Sequence, residues 1–348
     1  MPLLKSGCKD KKEIWGRRYP TRMINFGENK SFMIVVTGAA GFIGSHLIDK
    51  LNQEGFKAII AVDLFHDEVK LANLDHQNIL ASLDRRVFIP WLEENAEGVE
   101  FIFHLGAHTD TTETDEALFA ELNTNYTKQV WNICATEQIP LIYASSAATY
   151  GLGELGFSDD HSLIPQLQPL NAYAHSKHQF DLWALGQEKR PFYWAGLKFF
   201  NVYGKNEDHK GKMSSMVYQL HRQIEDGGKV RLFKSYDEKY DDGEQLRDFV
   251  YVQDVVNVMY WMMHHRKDSG IYNVGTGQAR SFKDVVNALQ QVLDKQVDIE
   301  YIDMPEHLRD KYQYFTEADL KKLKSIGFPM DFSSLEDGVR ACCSNLPN

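Results

Sequence analysis

"MIVVTGAAGFIG", residues 33–44, decides the fold. A short apolar run, Met33 to Val36 with Thr37 behind it, leads straight into Gly38, Gly41 and Gly44, three residues apart. The next residues place Ile43, Leu47, Ile48 and Leu51 at helical spacing, and Gly55 stops that helix. Strand, glycine turn and helix in this order form either a cradle for a cofactor phosphate or simply a tight turn. In the cradle reading, the glycines let the backbone approach a pyrophosphate, and the helix N-terminus supplies N–H donors and the positive end of its dipole. Asp63 decides for the cradle. It ends a second apolar strand, "KAIIAVD" (57–63), 19 residues after Gly44, where an acid accepts hydrogen bonds from an adenosine ribose.

The alternation continues downstream. "VEFIFHLGA" (99–107) and "PLIYASS" (140–146) read as strands, and so does the start of "FYWAGLKFFNVYG" (192–204), which ends in a turn. Residues 117–138 and 172–189 read as helices. Strands alternating with helices predict an α/β, Rossmann-type, doubly wound parallel sheet. After about residue 205 the rhythm changes. Polar loops at "GKNEDHKGK" and "SYDEKYDDGEQ" interrupt it, before strand and helix patterns return at 247–263 and 271–277. The expected organisation has four parts: an extension at 1–32; a dinucleotide-binding domain at 33–204; a return to that domain at 245–277; and a smaller C-terminal substrate-binding lobe from 205–244 and 278–348.

The totals exclude several classes. The 348 residues are 43% hydrophobic and 25% charged, as in an ordinary globular chain. A net charge of −11 argues against nonspecific nucleic-acid binding. No apolar run approaches the ~20 residues that span a bilayer. The four cysteines, Cys8, Cys134, Cys342 and Cys343, form no CxxC pair and have no histidine cluster, so they read as reduced thiols with no metal site. Residues 1–32 carry no apolar signal-peptide core; they read as an upstream start or an added segment with Met33 or Met23 as the working start, and a real N-terminal arm is the alternative.

The chemistry lies in "YAHSK". Tyr173 and Lys177 stand at i, i+4 on one helix face. A phenol titrating near 10 is a poor base at neutral pH, and an ammonium one turn away is expected to lower that value. Ser146, at the strand end in "YASSAATYG" (143–151), is placed to hydrogen-bond the reacting oxygen. Asp63 repels a 2′-phosphate and favours NAD, whereas Lys70 and Arg85 beyond it are able to neutralise that phosphate.

With "TGAAGFIG", "HLGA", Asn123 in "NTNYT", the Ser146, Tyr173 and Lys177 set, "RDFVYVQDV" and "NVGTG", the chain resembles the extended short-chain dehydrogenase/reductase family in its sugar-nucleotide branch. "FFNVYGKNEDHKGKMSSM" and "YQYFTEADL" are similar to the epimerases that invert C6 of ADP-heptoses, and that likeness runs from about Met33 to near the C-terminus.

The resemblance implies an NADP-dependent isomerase, with NAD as the alternative, that makes ADP-L-glycero-D-manno-heptose for lipopolysaccharide core. It also implies a cytoplasmic homo-oligomer, often a pentamer. Phe42 and Ile43 would line the cofactor loop. Asp63, Leu64, Lys70 and Arg85 would hold the adenosine, and Leu105, Gly106, Ala107, His108, Thr109, Asn123, Lys177, Val202 and Lys210 would lie along the cofactor. Ser146, Asn201, Lys212, Gln219, Phe233, Lys234, Ser235, Tyr236, Arg247 and Tyr312 would touch the nucleotide-sugar. Lys212 stands where the family has a small residue and Gln219 where it has histidine, and the stretch after Ser235 is longer. Such an epimerase returns hydride to the opposite face of a ketone, so a second acid/base is useful. Lys210 is the candidate and His209 the runner-up. Other enzymes of the same fold are the alternatives, although Ala147 and Ala148 after Ser146 disfavour a dehydratase. A non-catalytic cofactor-binding regulator is the reading from another class.

Overall fold

The computed structural model describes residues 32–227, 229–309 and 311–343. The extension at 1–31, with Cys8 and the suggested start at Met23, lies outside the described residues.

Seven parallel strands form the central sheet in the order β10-β6-β5-β4-β1-β2-β3. They are β1 (Met33–Thr37), β2 (Ile59–Asp63), β3 (Ala81–Asp84), β4 (Val99–His104), β5 (Leu141–Ser146), β6 (Trp194–Phe199) and β10 (Gly270–Val274). Every residue of β1 and β2 is buried, because helices cover both faces of the sheet, and a parallel strand covered on both faces has no polar side. The covering helices include α1 (Phe42–Gln53), α2 (Glu68–Ala72), α3 (Arg85–Asn95), α4 (Glu116–Phe119), α5 (Tyr126–Glu137), α6 (Ala172–Leu185), and, after α7 (Met216–Glu225) in the smaller lobe, α8 (Val252–His265). Strand order reverses between β1 and β4, and a doubly wound sheet opens its ligand crevice at such a point, beyond the strand C-termini.

A three-stranded sheet, β11 (Ala279–Ser281), β9 (Leu246–Tyr251) and β7 (Asn201–Tyr203), leads into the smaller lobe. There β8 (Val230–Phe233) pairs in parallel with β12 (Ile299–Ile302). A separate apolar cluster joins Val217, Leu220 and Ile224 of α7 to Val285, Val286 and Leu289 of α9 (Phe282–Leu293) and to Leu335 and Val339. Helix α9 starts with a capping box in which Ser281 and Asp284 satisfy each other's backbone donors.

Three local readings change. The helix expected over 117–138 widens into a π-helical stretch, Ala120–Asn125, before α5 resumes. That stretch carries Asn123 inward: its side chain donates to His108 O and Ser176 Oγ and accepts from His108 N, and these bonds hold the wider turn. The turn expected after β6 contains β7, which pairs with β9, a partner more than forty residues away that local pattern does not announce. Helix α3, which the strand-and-helix reading above does not include, is capped by Asp84, whose side chain accepts from Arg86 N, and it packs Phe88 and Leu92 against the sheet despite Pro90 inside it.

Candidate functional site

The glycine loop is closed on itself. Gly38 takes φ +66°, and a Cβ there would lie 2.8 Å from Gly106 Cα. A Cβ on Gly44 would lie 2.1 Å from Gly38 O, so only glycine lets α1 begin this close to β1. Gly41 is the N-cap of α1 and makes no side-chain cap bond, so the helix N-terminus is presented without one. The β1 and β4 ends are tied across the switch point: Gly106 N donates to Thr37 Oγ1 at 3.0 Å, and Thr37 Oγ1 bonds His104 Nδ1 at 2.8 Å. Burial keeps His104 neutral, with its pKa at about 3. Leu105 to Thr109 therefore run beside the loop that begins at Gly38.

At the adenosine end, Asp63 is 6% exposed and multiply held. Its carboxylate accepts from Ala40 N at 3.0 Å, from Leu64 N at 2.7 Å and from Lys70 Nζ at 2.5 Å. Asp63 thus both braces the glycine loop and carries its own counter-charge. Asp84 is its register partner on β3, which places Arg85 one residue beyond the neighbouring strand end.

At the other end of the crevice, the structure brings Ser146, Tyr173 and Lys177 together. Ser146 ends β5, and Tyr173 and Lys177 share the inner face of α6, whose N-cap Asn171 accepts from Ala174 N at 2.8 Å. The Ser146 hydroxyl, which accepts from Ala148 N at 3.1 Å, lies near enough to the Tyr173 phenol to act on its proton. Lys177 Nζ donates to Ala144 O at 2.9 Å. The expected lowering of the phenol's pKa is not found. Burial pushes Tyr173 above its ordinary value, and the Ser146 hydrogen bond only partly offsets this. The lysine shifts instead: desolvation brings Lys177 down to about 8.

The two candidate second bases separate. His209 Nδ1 lies 3.4 Å from Asn73 Nδ2, and Lys70, Lys210, Asp67 and Asp63 all act on its charge, which sets His209 toward the adenosine end. Lys210 Nζ stands 4.9 Å from the Phe42 ring centre and 3.3 Å from Glu207 Oε2. Glu207 is fully buried and also accepts from Gly204 N, Ser215 N and Ser215 Oγ, which shapes the whole loop.

On the substrate side, Arg247 is 7% exposed and lies 5.1 Å from the Tyr312 ring centre, and Tyr312 meets Phe233 edge-on. Just beyond the end of β8, Lys234 Nζ and Tyr236 OH both bond Asp303 Oδ1, at 3.0 and 3.1 Å. Ser235 N donates to Asp242 Oδ1 at 2.7 Å. The loop after Ser235 bears Asp237, Glu238, Asp241 and Asp242 beside an open cleft of about 770 Å³. Asn201 is exposed and Val202 half-buried next to it. Lys212 is exposed, and Gln219 Nε2, in the first turns of α7, donates back to Ser214 O at 2.8 Å.

Sequence reasoning missed Glu207 and the Lys198–Asp181 pair behind the triad, whose Nζ–Oδ2 distance is 2.7 Å with both side chains fully buried. A signal existed for the pair: a lone lysine in the apolar strand "WAGLKF" demands a partner.

The residues that surround the crevice fit a nicotinamide dinucleotide, with a loop that only glycines can close, a braced acid at the second strand end, and a serine–tyrosine–lysine set opposite. The model of the NAD dependent epimerase/dehydratase family matches residues 34–275. An ADP-L-glycero-D-manno-heptose-6-epimerase of Fusobacterium nucleatum is 49% identical over 323 residues, covering 90% of this chain and 97% of the relative. One of the same name from Nitratidesulfovibrio vulgaris strain DP4 is 45% identical over 315 residues, covering 88% and 95%. The crystal structure of the Helicobacter pylori ADP-L-glycero-D-manno-heptose-6-epimerase superposes with a TM-score of 0.72 at 28% identity, covering 92% of this chain and 98% of that one.

Proposed function

Since this chain belongs to the NAD dependent epimerase/dehydratase family, we propose that it inverts C6 of ADP-D-glycero-D-manno-heptose to give ADP-L-glycero-D-manno-heptose. The observation that carries the reading is the convergence of Ser146, Tyr173 and Lys177 opposite the glycine loop, in a chain so similar over its length to heptose epimerases.

The nicotinamide cofactor, when bound, supplies a hydride acceptor that later gives the hydride back. Tyr173 takes the proton of the C6 hydroxyl, and loss of that proton with the hydride leaves a transient 6-keto sugar. Ser146 orients the phenol and hydrogen-bonds the reacting oxygen. Lys177, anchored on Ala144 O, stabilises the phenolate and holds the nicotinamide ribose. Turning the ketone presents its other face and moves its oxygen. Lys210 then serves as the second acid/base, after releasing Glu207. Arg247, Tyr312, Phe233, Lys234, Ser235 and Tyr236 take the nucleotide end, and Asn201, Lys212 and Gln219 the sugar side.

NADP fits as the cofactor because Lys70 offsets the Asp63 charge that would otherwise repel a 2′-phosphate, with Arg85 beside it. Residues 33–204 with 245–277 serve the cofactor, and 205–244 with 278–348 the substrate. The enzyme acts as a cytoplasmic homo-oligomer, a pentamer, that supplies an activated heptose for lipopolysaccharide core. None of the described helices is long and apolar enough to cross a membrane.

The test is turnover of ADP-D-glycero-D-manno-heptose by the purified protein, with C6 configuration read by NMR and co-purified nucleotide by mass. No inversion rejects the substrate. A Tyr173→Phe variant at full rate rejects the acid/base assignment; a loss of at least ~100-fold supports it.

A further inference from the structure

Behind the triad lies a buried polar network that the epimerisation steps above do not use. Asp181 is on α6, one turn beyond Lys177 as Lys177 is one turn beyond Tyr173, so the three share one stripe of the helix. Both Asp181 and Lys198 are fully buried. The Asp181 carboxylate accepts from Tyr143 OH at 2.9 Å, Ser145 Oγ at 2.7 Å and Lys198 Nζ at 2.7 Å. Lys198 Nζ also donates to Thr149 Oγ1 at 2.6 Å, and Thr149 Oγ1 donates to Ser146 O at 2.8 Å.

Two features make this more than core satisfaction. First, the bonds form an unbroken path from Asp181 through Lys198 and Thr149 to the main chain of the triad serine. Second, α6 is laced to β5 at consecutive residues: Lys177 holds the carbonyl of Ala144 while Asp181 holds the hydroxyl of Ser145. A hydrophobic pair of similar volume would serve stability as well as a buried ion pair, or better, so a role in the site is the stronger account of these charges.

We propose that Asp181, held by Lys198, is a positioning residue for the triad: it fixes the Ser146 end of β5 against α6 and supplies the counter-charge one turn behind Lys177. The proposal rests on the triad reading above. The charged and titratable groups around Lys177 and Tyr173 are Asp181 on their own helix with His178 beside it, Tyr143 on β5, Lys198 on β6 and His104 on β4. Burial keeps His104 neutral and pushes Tyr143 well above its ordinary value. Asp181 is therefore the only anion of this set. Its charge raises both Lys177 and Tyr173. Neutralising it removes that contribution from both groups, so the activity profile moves toward lower pH.

The experiment compares kcat and KM against pH for wild type and Asp181→Asn, using cofactor-loaded enzyme and ADP-heptose. The expected result is a shift of the kcat profile to lower pH by roughly one unit with KM little changed. Should Asp181→Asn fail to fold because Lys198 is left buried and unpaired, Asp181→Asn with Lys198→Met is read instead, with a smaller shift in the same direction expected because the cation leaves with the anion. A folded, cofactor-loaded variant whose profile drops in height without moving overturns the proposal, because loss of packing alone moves no pKa. If Tyr173→Phe is inactive while that profile stays put, only this inference fails; if Tyr173→Phe is active, the triad reading fails first.

Discussion

Replacing Gly44 by alanine sets two effects of opposite sign against each other. Gly44 lies in the first turn of α1, where helix propensity alone predicts that alanine gains about 1 kcal/mol. The structure predicts the reverse. The added Cβ would fall 2.1 Å from Gly38 O, 2.9 Å from Gly38 C and 3.1 Å from Ala39 Cα, all backbone atoms of the loop. Relief requires α1 to move by about 1 Å from β1, since contacts of this kind do not close below ~3 Å. That movement pulls on Ala39 N, which donates to Val62 O at 3.3 Å, and on Ala40 N, held by Asp63. Overpacking of this kind costs about 1–3 kcal/mol, enough to cancel the propensity gain or exceed it. Displacing the helix N-terminus also weakens phosphate binding, by about tenfold for each charge-assisted bond lost. Urea unfolding with a fluorescence titration of NADP measures both quantities. A Gly44→Ala variant more stable than wild type, with undiminished affinity, refutes the close-approach argument. Gly41→Ala, whose Cβ meets Gly38 O at 3.0 Å, is expected to fall between the two.

Three further outcomes follow from particular contacts. Lys70→Ala uncovers the Asp63 charge and should weaken NADP relative to NAD by roughly ten- to a hundredfold in parallel titrations; equal losses for both would remove Lys70 from 2′-phosphate recognition. Lys210→Ala should lower kcat for epimerisation at least ~100-fold while leaving Tyr173-dependent oxidation of the sugar measurable as cofactor absorbance; full activity would end the two-base scheme. Asp159, 3% exposed, is raised by burial to about 6, so its folded-state pKa lies above its unfolded value, and the stability linked to its protonation is present at low pH and lost as pH rises through 6. Asp159→Asn should therefore raise stability at pH 7–8 by about 1–2 kcal/mol, with the gain vanishing below pH ~4. A gain of equal size at every pH in thermal melts would rule out this titration.

The sequence alone was enough for the parts that rest on local rules. Apolar runs of "MIVVT" type, covered on both faces, had to be parallel strands, and the glycines after β1 had to form a turn into a helix. Asp63 at the next strand end made a nicotinamide-dependent family readable, and the i, i+4 spacing of Tyr173 and Lys177 put both on one helix face, because each depends on a few residues close in the chain. What depended on distant packing was not readable. The π-helical turn exists because Asn123 reaches His108 and Ser176, and no periodicity in residues 117–138 carries that information. His209 and Lys210 are neighbours in sequence, yet the fold sends one to the adenosine end and the other over Phe42. The ammonium was expected to act on the phenol; burial instead pushes Tyr173 up and Lys177 down, and burial is a property of the assembled core. The pairing of Lys198 with Asp181 was decided there too: a lone lysine in an apolar strand declares that a partner must exist, but only the packing of β6 against α6 says which residue it is.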